Sequence, residues 1–203
     1  MSIEHLARPE LLKRSAYVSA VPDRDLIRLH ANESPWSIEE GLFGEADKRE
    51  LNRYPDPQAL ALVRAMAKFY GVQEDHVLPV RGSDDGIDLL IRAFCSAGQD
   101  SILVNSPTFS MYASFAGLQN ARVVDIPMLN DGNFSLDLQA ITDSTPRSKI
   151  VFLCTPNNPT GHSIDPTTIC QLCSVLSGDS LVCVDEAYIE SVSYTHLTLP
   201  TKA

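Results

Sequence analysis

The sequence predicts an α/β protein of three layers, αβα, with a mostly parallel sheet between two sets of helices. Two observations carry this. Short apolar runs, clearest at Lys149–Cys154 and Leu181–Val184, lack the alternation of a strand with one wet face. Such strands are buried on both sides, which requires helices above and below the sheet. Between the runs lie segments with apolar residues at helical spacing, so strand and helix alternate along the chain.

Taken in order, residues 1 to about 36 read as an irregular arm with one short helix. It ends in Ala31-Asn32-Glu33-Ser34-Pro35-Trp36, which has turn chemistry. Asn52-Arg53-Tyr54-Pro55-Asp56-Pro57 is a rigid extended turn, because each proline fixes its own φ and turns its predecessor away from helix. A helix is expected near 58–70, with Leu60, Val63, Met66 and Ala67 on one face and Gly71 as its C-terminal cap. Val77–Val80 reads as a strand. Asp85–Cys95 reads as a helix with Ile87, Leu90, Ile91 and Phe94 on one face. Ser101–Asn105 is a strand, about Phe109–Leu118 a helix, Arg122–Ile126 a strand and Lys149–Cys154 another. Asp165 and Pro166 supply an N-cap and a first-turn proline for the next helix. Leu181–Val184 is the last clear strand.

A chain of 203 residues can bury one sizeable core, and 44% hydrophobic with 21% charged residues is ordinary for a globular protein. A net charge of −10 without a basic patch argues against nucleic acid as a partner. No apolar run approaches the roughly 20 residues of a membrane span. Residues 1–9 lack the apolar core of a signal peptide. Five scattered cysteines suit a reducing cytoplasm. Cys170 and Cys173 form a lone CxxC on a predicted helix, which reads as two small packed residues. His5, His30, His76, His162 and His196 have no metal-ligand spacing, so no metal is expected. No GxSxG elbow is present.

Four segments carry chemistry. Asp185 follows Leu-Val-Cys-Val, so a carboxylate stands at the end of a buried strand, with the phenol of Tyr188 three residues on. In open α/β sheets ligands sit at this edge, although a strand-end aspartate also serves as a cap or an ion pair. Pro156-Asn157-Asn158-Pro159-Thr160-Gly161 is a polar turn after another strand and presents two amides; a plain turn is the simpler alternative. Arg81-Gly82-Ser83-Asp84-Asp85-Gly86 opens a helix, where backbone N–H groups favour a phosphate, or is an ordinary capped start. Phe109 follows a strand, where an aromatic can stack on a planar ligand or face the core. An aspartate, a tyrosine and an asparagine at one sheet edge suit a pyridine ring with a phenolic oxygen, the ring of pyridoxal 5'-phosphate.

The NNPTG and VDEAY segments resemble signatures of the fold-type I aminotransferases. With HANESPW, NRYPDPQ, GSDDGIDLLIRAF and PTFSMY, the pattern from about 25 to 190 resembles the histidinol-phosphate aminotransferase family. The resemblance implies a fold-type I large domain and pyridoxal phosphate as cofactor. It implies that Asp185 pairs with the ring nitrogen, that Tyr188 and Asn158 bond the phenolic oxygen, and that the backbone of Ser83 and Asp84 holds the phosphate. Phe109 would stack on the ring. Tyr54 would reach the cofactor of the neighbouring subunit in a homodimer, and the segment from Asn32 and Glu33 to Trp36 would line the substrate site. The implied reaction exchanges an amino group between L-histidinol phosphate and 2-oxoglutarate, in histidine biosynthesis. Aromatic or aspartate aminotransferases and a phosphothreonine decarboxylase are neighbouring alternatives. A non-catalytic fragment that binds a phosphate ligand is one of another class.

The resemblance also implies a cofactor lysine in a Ser-Lys context beyond Asp185. Lys13, Lys48, Lys68, Lys149 and Lys202 do not stand in that context. The expectation is therefore an N-terminal fragment, inactive alone. Residues 1–50 would form an arm and part of a small domain, and 51–190 the first part of the cofactor domain. Residues 191–203 would be a non-native tail.

Overall fold

The computed structural model describes residues 3–15, 17, 27, 29, 31–36, 51–144 and 146–191. Of the tail expected over 191–203, all but Ser191 lies outside the described residues. The chain divides into two compact units, Ser15–Pro79 and Met1–Arg14 with Val80–Ala203.

In the larger unit a short helix α1 (Pro9–Leu12) precedes α3 (Ser83–Phe94), β1 (Ser101–Val104), α4 (Met111–Leu118) and β2 (Arg122–Asp125). There follow α5 (Leu138–Asp143), β3 (Ile150–Cys154), α6 (Pro166–Val175) and β4 (Leu181–Asp185). Helix α2 (Leu60–Tyr70) belongs to the smaller unit. The strands form one parallel sheet in the order β2-β1-β3-β4.

This order follows from right-handed crossovers. Helix α4 carries the chain from β1 outward to β2, whereas α5 and α6 carry it back past β1 to β3 and on to β4. Opposite travel demands opposite faces. Accordingly Ile87 and Ile91 of α3 and Tyr112 and Ala116 of α4 pack with Ile102, Val104, Ile150, Phe152 and Cys154 on one face. Ile141 of α5 and Ile169 and Leu172 of α6 pack with Leu103, Val151 and Leu153 on the other. Consecutive residues of β3 thus serve different cores, which is why its five positions are all apolar and all buried.

Local chemistry sets the helix ends. Asp165 accepts from the Thr167 N–H, with Pro166 in the first turn of α6. Gly71 ends α2 at φ 68°, a left-handed conformation that glycine adopts without strain. Val63 and Ala67 are the buried face of α2, and Leu60 is exposed.

Two features depart from the pattern. Val77–Val80 is not a strand. Pro79 has no N–H for a ladder, no strand among the described residues pairs with the segment, and Leu78 is exposed. Helix α5 was not expected; its six residues are too few to display a helical period, and Asp137 caps it through the Ala140 N–H.

The N-terminal edge of the sheet is closed by buried hydroxyls. Ser101 Oγ lies 3.1 Å from Ser148 Oγ, and Ser180 Oγ donates to the Ser148 carbonyl at 2.7 Å. Functional groups that remain open gather at the opposite edge.

Candidate active site

Strand order reverses between β1 and β3, so the loops leaving these neighbouring strands diverge at the C-terminal edge. Such a switch point is where open α/β sheets bind ligands. The loop after β1 carries Pro107, Thr108 and Phe109. The turn after β3 carries Thr155 to Gly161.

Asn157 ties the two together. It is buried, and its Nδ2 donates to the Pro107 carbonyl at 2.8 Å and to Thr160 Oγ1 at 2.9 Å. Its Oδ1 accepts from Thr108 Oγ1 at 3.0 Å. Asn157 is thus committed inward. The neighbouring Asn158 is half-buried, and its side-chain amide makes no hydrogen bond among the described residues. Of two adjacent amides, the second is the one open to a ligand.

Asp185 ends β4 opposite Cys154, and its carbonyl accepts from the Thr155 N–H at 2.9 Å. Its carboxylate is half-buried. Oδ2 accepts from the Tyr112 hydroxyl at 2.6 Å and Oδ1 from the Ala187 N–H at 3.1 Å. Each oxygen keeps acceptor capacity for a further donor. Tyr112 is fully buried, its ring stacked on Phe152 with centroids 4.7 Å apart. Burial first, and then its bond to Asp185, push the Tyr112 hydroxyl well above the ordinary phenol range, so it serves as a donor. Phe109 meets Tyr112 edge to face at 5.6 Å and is half-buried. Phe109, Tyr112 and Asp185 form one continuous row, joined to Asn158 through the bonds of Asn157. Tyr188 is exposed in the turn after Asp185, and its hydroxyl makes no bond among the described residues.

Ser83 and Asp84 lie in the first turn of α3. Cys95 at the other end of this helix lies 4.0 Å from the Ser101 carbonyl at the start of β1. The helix N-terminus therefore points toward the C-terminal edge. Ser83 lies within the helix rather than capping it; Gly82 holds the cap position, with no side-chain cap. The Asp85 carboxylate turns instead to Arg81, whose guanidinium holds it below the ordinary carboxylate range. The N–H groups of the first turn stay exposed and available to an anion.

In the smaller unit the segments of Asn32 and Tyr54 meet. Glu33 accepts from the Tyr54 N–H at 2.8 Å and pairs with Arg53 at 3.1 Å, its side chain nearly sealed from solvent. Asn52 Nδ2 donates to the Ser34 carbonyl at 2.8 Å. Asn32 and the ring of Tyr54 are exposed, and both line a recess of about 360 Å³ with Glu33 and Arg53.

The donor set suits pyridoxal phosphate: a carboxylate for a ring nitrogen, an amide and a phenol for an oxygen, uncapped N–H groups for a phosphate and a half-buried aromatic ring. Within the PTFSMY segment nothing assigns Tyr112 a role. The available signal was the repeat of an aromatic three residues after Phe109, one helical turn on. Among the described residues no group of histidine, cysteine, aspartate and glutamate could hold a metal ion. No helix of the described residues is long and apolar enough to cross a membrane.

The profile of the family "Aminotransferase class I and II" matches residues 25–200. A histidinol-phosphate aminotransferase of Francisella philomiragia subsp. philomiragia is 44% identical over 92% of this chain and 50% of its own. Histidinol-phosphate aminotransferase 1 of Legionella pneumophila subsp. pneumophila is 41% identical over 94% and 51%. The chain thus spans about half the length of these curated relatives. The crystal structure of histidinol-phosphate aminotransferase from Sinorhizobium meliloti in complex with pyridoxal-5'-phosphate has the same fold. Its TM-score is 0.59 at 22% identity, over 70% of this chain and 38% of that one.

Proposed function

The chain belongs to the class I and II aminotransferases, and on that premise we propose that it is part of a pyridoxal-phosphate-dependent histidinol-phosphate aminotransferase. Residues 51–190 supply the first part of its cofactor domain. The observation that carries this is the Asp185 carboxylate, held at the sheet edge by Tyr112 and the Ala187 N–H and still able to accept. Its partner there is the ring nitrogen, which a carboxylate keeps protonated. The Asn158 amide and the Tyr188 phenol bond the ring's phenolic oxygen. Phe109 covers one ring face and excludes water from it. The first-turn N–H groups of Ser83 and Asp84 receive the phosphate. When bound, the cofactor supplies an electron sink for cleavage of the substrate's Cα–H bond.

Two supports bear on the substrate: the names of the relatives at 41–44% identity and the recess beside Asn32 and Glu33. Glu33 shapes this recess by holding Arg53 and the Tyr54 backbone, and Asn32 faces it. The enzyme acts as a homodimer, with Tyr54 reaching the neighbouring subunit's cofactor phosphate.

The test is glutamate formation from L-histidinol phosphate and 2-oxoglutarate by the enzyme of the whole reading frame, with aromatic amino acids and aspartate as rival donors. Preference for a rival donor would move the assignment to a neighbouring aminotransferase. Failure to retain pyridoxal phosphate would end it.

A further inference from the structure

We propose that Tyr112 is a positioning residue for Asp185, its buried phenol fixing the carboxylate while leaving it acceptor capacity for the ring nitrogen. This rests on the cofactor reading above and names the group that acts behind it.

The 2.6 Å separation lies in the short range of charge-assisted O–H···O⁻ bonds. The phenol cannot swing away. Its ring stacks on Phe152 at 10° between planes and meets Phe109 at 84°, so packing on two sides locks both side-chain torsions. Burial raises the hydroxyl above the ordinary phenol range, so it acts as the donor. The Ala187 N–H restrains the second oxygen from the following turn. With one donor on each oxygen, rotating the carboxylate would break both bonds.

The surroundings leave a charge to be met. The titratable groups nearest Asp185 on β3 and β4 are the thiols of Cys154 and Cys183. Burial raises both, Cys183 to about 12. No lysine, arginine or histidine pairs with Asp185 among the described residues. A half-buried carboxylate held by two donors, without a cation, is arranged for a positive group from outside the chain.

The test uses the apo form of the enzyme of the whole reading frame and two probes. Pyridoxamine 5'-phosphate carries the ring nitrogen; its 1-deaza analogue has carbon there. Tyr112→Phe keeps both ring contacts and removes only the oxygen. It should weaken pyridoxamine phosphate by on the order of tenfold or more, the scale of one hydrogen bond to a charged group. It should leave the 1-deaza analogue unchanged. The pyridine ¹⁵N resonance of the bound probe should move toward its unprotonated position. In an Asp185→Asn background, Tyr112→Phe should add nothing, because the two act as one unit. Equal weakening of both probes would reduce Tyr112 to a packing residue and overturn the proposal, as would no weakening of either. A wild-type enzyme of the whole reading frame that binds neither probe would instead defeat the cofactor reading, and the proposal with it. If Tyr112→Phe fails to fold by circular dichroism, the wild-type hydroxyl proton decides. It must shift on adding pyridoxamine phosphate and stay in place with the 1-deaza analogue.

Discussion

The adjacent asparagines at the switch point should fail in opposite ways when truncated. Asn157→Ala removes three neutral hydrogen bonds, to Pro107, Thr108 and Thr160. Each is worth roughly 0.5–1.5 kcal/mol net, so the loss should be about 2–4 kcal/mol. Water can reach the exposed Pro107 and the half-buried Thr108 and recover part of it, which favours the lower half of that range. Asn158→Ala breaks no bond among the described residues, so its cost should stay within about 0.5 kcal/mol. Urea unfolding at 25 °C followed by circular dichroism measures both. Asn157→Ala should lower the midpoint without changing the slope. Affinity for pyridoxamine phosphate should then separate the two further. Asn158→Ala should weaken it through lost contact, at unchanged stability. Asn157→Ala should weaken it only as the loops loosen. If Asn157→Ala costs under about 1 kcal/mol, or Asn158→Ala costs as much as its neighbour, the division of labour argued from their bonds is wrong.

Three further outcomes follow from the same geometry. Asp165 is held below the ordinary 3.8 chiefly by the Thr167 hydroxyl and N–H at the start of α6. It contributes stability that is complete above that value and is lost as pH falls through the lowered one. Asp165→Ala should therefore reduce the urea midpoint at pH 7 and flatten its acid limb, and an unchanged acid limb would show that the cap contributes nothing. The thiols of buried Cys95 and half-buried Cys183, both raised to about 12, should resist iodoacetamide at pH 8 in the folded chain. Rapid labelling of Cys95, read by mass spectrometry, would mean that the core between α3 and the sheet opens. Lys149 precedes β3, at the edge opposite Asp185. Borohydride after addition of pyridoxal phosphate should therefore leave no stoichiometric adduct on it, and a single adduct there would relocate the site.

Much of the site could be read from residue order. The Asp185 carboxylate follows an apolar run and the Asn158 amide sits between prolines, and both stand where a strand ends. A strand end at a parallel sheet's C-terminal edge is a local property with a known consequence. What escaped was the inward commitment of particular side chains. Glu33 looked like a substrate contact and is occupied by Arg53 and the Tyr54 N–H. Asn157 and Asn158 are the same residue type in one turn, yet only one is buried. Tyr112 looked like part of a motif and proves to hold a carboxylate 73 positions away.

By itself the sequence determined which segments could be strands and helices, because apolar spacing, proline and caps act through neighbours along the chain. It determined the three layers as well, since strands buried on both faces require helices on both sides. Tertiary structure alone decided the order β2-β1-β3-β4, and with it which loops share an edge. It decided that Val77–Val80, apolar as it is, pairs with no strand among the described residues. The physical reason is that a strand needs the backbone of another, and a buried carboxylate needs a donor from another element. Neither partner is specified by the residues beside it.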